Sequence, residues 1–157
     1  MPGPGVSHLD FRHNMFTASL NEKPYPHTLL YQSDEVPDTM NRLKSIANAA
    51  GQLPAAEVYV MDSGMAAILR ASLDGRCRNK QHYLVLDIAT SHTVGAALMG
   101  NELAGFFEYH TQDITLERLE NLLHDLADGK LSHEQILAEG GHGALVRQAV
   151  GFNAIET

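Results

Sequence analysis

Residues 84–111, LVLDIATSHTVGAALMGNELAGFFEYHT, constrain the fold more than any other part of the chain. An apolar run ends on Asp87, the small and polar residues Thr90, Ser91, His92 and Thr93 follow, and a second apolar run reaches Met99. Gly100-Asn101 is a tight-turn signal, and a third run continues through Phe106 and Phe107. Strands joined by such short connections pair antiparallel, so the spacing predicts a three-stranded meander over 83–109.

Helical patterns flank it. Residues 33–50 place Met40, Leu43, Ile46 and Ala47 at helical spacing, with Ser33 or Asp34 as the cap, Pro37 in the first turn and Gly51 beyond the end. Residues 57–62 (EVYVMD) read as a strand and 63–75 as a helix of small and aliphatic residues. Thr115 caps a second amphipathic helix with Leu116, Leu119, Leu122, Leu123 and Leu126 on one side, closed by Gly129. The Ser-x-x-Gln of 132–135 opens a short helix. The terminal FNAIET reads as the start of a strand. Residues 1–33 hold four of the six prolines and no sustained period, which predicts an extended arm with a short strand within 27–32. The expectation is a single α/β domain over 1–157, a mixed sheet with flanking helices.

Composition narrows the function classes. A formal charge of −8 without a Lys/Arg stripe argues against a nucleic-acid partner. No apolar run reaches membrane-spanning length, so a cytoplasmic protein without a membrane partner is expected. Cys77 is the only cysteine, and one thiol cannot form an intrachain disulfide, a zinc knot or an iron–sulfur cluster. Nine histidines in 157 residues are the first hint of a site.

Three motifs could carry chemistry. The Asp87–Thr93 turn offers a carboxylate and the hydroxyls of Thr90, Ser91 and Thr93. Such a turn can grip phosphate or a cation, and can equally be an ordinary hairpin turn. Asp62, Ser63 and Gly64 stand at a strand-to-helix junction, which suits either an anion or simple capping. The glycines 140, 141 and 143 around His142 let backbone approach a ligand, or merely turn the chain. Glu108 and His110 are two apart on one strand and share a face. With His92 and His142 they make a candidate divalent-metal set, against which stands the reading of structural histidines.

The order of VYVMDSGMAAILRASLDG, LVLDIATSHTVGAAL and a late glycine loop resembles the second lobe of the actin, heat-shock chaperone and sugar-kinase ATPase superfamily. More closely, VPDTMNRLKSI, VMDSGMAAIL, DIATSHT, FFEYHT, DGKLSHEQI and EGGHGA resemble a prokaryotic family of unknown function labelled as pyruvate formate-lyase activating proteins. The resemblance implies a ribonuclease H-like β-β-β-α core. It further implies ATP with magnesium, or another small phosphate ligand, held by Asp87, Thr90, Ser91 and Thr93, with Gly140, Gly141 and Gly143 bordering the nucleoside. Ala89 and Ser91 stand where that family's turn has glycines. Two-lobed relatives imply that this chain is a fragment or a trimmed form, which turns over no ATP alone. A radical activase would need a cluster held by three cysteines, and Cys77 stands alone. The other readings are a metal-assisted hydrolase using Glu108, His92, His110 and His142 around the metal, and a non-catalytic module that dimerises through a strand edge. Across the enzymatic readings the candidate catalytic residues are Asp87, His92 and His110.

Overall fold

The structure, a computed structural model, describes residues 8–156. Its centre is a four-stranded sheet in the order β3-β4-β5-β6: β3 His82–Ile88, β4 His92–Met99, β5 Glu102–His110 and β6 Gly143–Val146. Every pairing in it is antiparallel, so the mixed sheet expected from the sequence is corrected to an antiparallel one. The meander forms as its spacing requires. Gly100 turns the chain between β4 and β5 with φ at +56°, a conformation that costs glycine little. A small antiparallel pair, β1 Tyr31–Gln32 and β2 Tyr59–Val60, stands apart.

Helices cover both faces of the main sheet. On one face, α1 His8–Glu22 and α3 Ser63–Ser72 pack Phe16, Leu20, Met65 and Ile68 onto Val94, Ala96, Leu98 and Phe106. On the other, α4 Leu116–Ala127 and α5 His133–Ala138 pack Leu122, Leu126 and Ile136 onto Ala97, Phe107, Tyr109 and Ala144. Thr115 caps α4 by accepting from the Arg118 amide at 3.1 Å, and Ser132 caps α5 by accepting from Gln135 at 3.2 Å.

Other expectations need correction. Residues 1–7 of the expected arm lie outside the described residues, and the next fifteen form α1 instead of extended chain. No amphipathic period announces this helix, because two side chains one turn apart, Phe16 and Leu20, anchor it to the sheet. The helix expected from 33 begins only at Asn41 (α2 Asn41–Ala50). The Ser33 amide donates instead to the Val58 carbonyl, extending the β1–β2 ladder, and Val36 turns inward against Ala47 and Val60. Phe152–Ala154 is a 3-10 turn where a strand was expected, since the chain has left the sheet and Asp128 receives the Phe152 amide at 2.9 Å.

Candidate metal centre

Sheet register gathers three histidines spread from position 92 to position 142 of the sequence. His92 is the first residue of β4 and His110 the last of β5, and the two stand directly opposite each other in the ladder. Side chains so paired have Cβ atoms about 4.5–5.5 Å apart. His142 arrives with β6: its amide donates to the Glu108 carbonyl at 2.9 Å, and Gly143 then pairs with Glu108. The result is a cluster in which His92, His110 and His142 each offer a ring nitrogen within 4.8 Å of the other two. The His110 and His142 rings meet edge to face at 4.5 Å, with 3.1 Å between their Nε2 atoms.

Outer contacts hold two of the three rings with Nε2 inward. Nδ1 of His142 lies 3.2 Å from Oε1 of Glu108, and Nδ1 of His92 lies 2.9 Å from the Ser91 hydroxyl. The other Glu108 oxygen receives the guanidinium of Arg12, which also stands 3.6 Å from Asp62. Nε2 of His92 is buried and has no hydrogen-bond partner among the described residues. Burial pushes the His142 imidazole below the ordinary histidine range, the neighbouring His92 and His110 add to the effect, and Glu108 opposes it. The neutral ring that results is the form that binds metal.

The remaining candidate residues are placed differently. Glu108 is outside the converging set and stands behind His142 instead. Asp87 sits within β3 opposite Val94, half-buried, and is not in that set either. Thr90 and Ser91 are exposed in the turn between β3 and β4. Thr93 is only 1% exposed and its hydroxyl lies 3.0 Å from that of Thr111, which in turn donates to the Ala89 carbonyl at 2.7 Å. These hydroxyls stitch the strand ends together. Gly141 abuts Ile136 and Tyr109, where an added Cβ would come within 2.6 and 2.9 Å of them. Gly143, at φ +122°, lies against His133. Gly140 alone of the three faces open space. Asp62 caps α3, accepting from the Gly64 amide at 3.1 Å. Arg12 was not legible as a site residue, because nothing local in the sequence ties it to a carboxylate 96 positions away. The same holds for the stacked His13 and His133, whose ring centroids are 3.5 Å apart beside Gly143.

The model of a family described as "Putative pyruvate format-lyase activating enzyme (DUF1786)" matches residues 2–157. The chain belongs to that family. No curated protein and no solved structure matches it. The family's label would call for an iron–sulfur cluster, and the residues present do not fit one: Cys77, half-buried, is the only thiol. Three imidazoles are instead the donors that converge, a set suited to zinc, iron or copper as single ions. Among the described residues no helix is long and apolar enough to cross a membrane.

Proposed function

We propose that His92, His110 and His142 hold a divalent metal ion, zinc-like in its ligand preference, and that the chemistry of this chain is metal-assisted hydrolysis. The observation that carries this reading is the meeting of three imidazoles, each with a ring nitrogen within 4.8 Å of the other two. Beside it, Nε2 of His92 is buried and without a hydrogen-bond partner among the described residues. A buried polar atom without a partner costs free energy, and a metal ion would remove that cost. Three protein ligands leave a fourth position for water, whose pKa a bound zinc lowers to about 7. Glu108 and Ser91 would fix the tautomers of His142 and His92 from outside, as outer hydrogen bonds do at metal sites.

For the fold, we read the order β3-β4-β5-α4 as a ribonuclease H-like, actin-like core to which β6 is added at the β5 edge. The nucleotide reading has less support: Thr93 is bonded inward and Gly141 and Gly143 are packed against protein.

The test is metal content and calorimetric titration with zinc and manganese, followed by hydrolysis of p-nitrophenyl acetate and p-nitrophenyl phosphate by the loaded protein. One ion per chain, lost in His92→Ala and His142→Ala, is expected. Stoichiometric binding that survives both substitutions would overturn the metal centre. Binding without turnover of any ester would overturn the hydrolase reading alone.

A further inference from the structure

Arg12 also lines a concavity apart from the three histidines. A cleft of about 390 Å³ opens between α1, the first turns of α2 and the junction of β2 with α3. Its size is that of small-molecule pockets, which run from about 300 to 1,000 Å³. Its walls are mostly apolar: Met15, Phe16, Met40, Leu43, Ile46 and Met61. Three of these six are methionines, whose unbranched thioethers adapt to irregular apolar guests. Ile46 is 51% exposed on the rim.

The charges on the wall are unequally spent. Arg12 is committed to Glu108 and Asp62. Asp62 is committed to Arg12 and to the amides that start α3. Arg42 also lines the cleft, is exposed, and makes no ion pair among the described residues. In a chain with 19 acidic and 11 basic residues, a cation without an acidic partner at the mouth of an apolar cleft is a selective feature. The guanidinium suits a planar anion such as a carboxylate.

We propose that this cleft binds an amphipathic carboxylate, its apolar body against the methionines and its anionic end at Arg42. The inference stands on the cleft alone and does not require the metal centre. Isothermal titration of the whole chain with dodecanoate tests it, with dodecyltrimethylammonium as the same alkyl chain carrying the opposite charge. One-to-one binding of dodecanoate, at least tenfold tighter than the cation, is expected. Arg42→Ala should weaken dodecanoate by about tenfold, the loss expected for a hydrogen bond to a charged group, without affecting the cation. Ile46→Asp, at an exposed position and thus compatible with folding, should weaken both amphiphiles. No binding, equal binding of the two amphiphiles, or affinities unmoved by both substitutions would overturn the proposal. A concentration-dependent dimer that Ile46→Asp dissociates would also overturn it, by assigning the cleft to a second copy of this chain.

Discussion

Oε1 of Glu108 meets Nδ1 of His142 at 3.2 Å, while its second oxygen takes the guanidinium of Arg12. One carboxylate thus ties the first described helix to the ring that β6 delivers. Removing it should leave the fold and loosen the ring. Glu108→Gln is expected to weaken zinc binding about 10- to 100-fold, as loss of an outer-sphere partner does. Calorimetric titration beside the wild-type chain checks this, and an unchanged affinity would remove Glu108 from the site.

The pH dependence of the metal-free chain follows from His142. Its pKa is lowered, first by burial, so as the pH falls the unfolded chain takes up the proton before the folded one. The stability at stake is intact above the ordinary histidine value of about 6.5 and is lost progressively as the pH drops below it. The melting temperature should therefore fall between about pH 7 and pH 5, and His142→Ala should flatten part of that fall. Equal slopes for the two chains would show that His142 does not contribute.

Leu122 is fully buried between α4 and the sheet, with Leu126, Phe107 and Ala97 in the same core. Leu122→Ala should destabilise the chain by about 2–5 kcal/mol, the usual cost of a buried leucine and the cavity it leaves. A denaturant melt measures it, and a loss below about 0.5 kcal/mol would be that of a surface site.

Gly141→Ala tests whether the glycine loop serves packing. The added methyl would stand 2.6 Å from Ile136 Cγ2 and 3.1 Å from the Ile136 carbonyl, so the loop or α5 must move. A loss of about 1–3 kcal/mol is expected, as for other overpacked cores. Gly140→Ala, at φ +86°, meets no neighbour among the described residues and should cost only backbone strain. If instead Gly141→Ala melts like the wild type, the loop has room to spare.

The sequence alone determined the elements whose signals are local. The meander is written in apolar runs broken by Thr90-Ser91 and Gly100-Asn101, and α4 in the leucine spacing behind Thr115, because hydrogen-bonded turns and caps act over a few residues. It also put His92, Glu108, His110 and His142 forward as one set, since two of them sit two apart on a strand and chain order brought the others near. Tertiary structure decided the rest. Which carboxylate stands behind which ring depends on β6 pairing with β5 and on α1 lying over the sheet, contacts between residues 34 and 96 positions apart. Helix α1 itself carries no amphipathic period and exists because Phe16 and Leu20 find the sheet. Whether glycines 141 and 143 face a ligand or the protein was equally beyond local reading, for it is Tyr109, Ile136 and His133, brought from elsewhere, that fill the space beside them. Burial and convergence are properties of the packed chain, and no window of sequence contains the partners that create them.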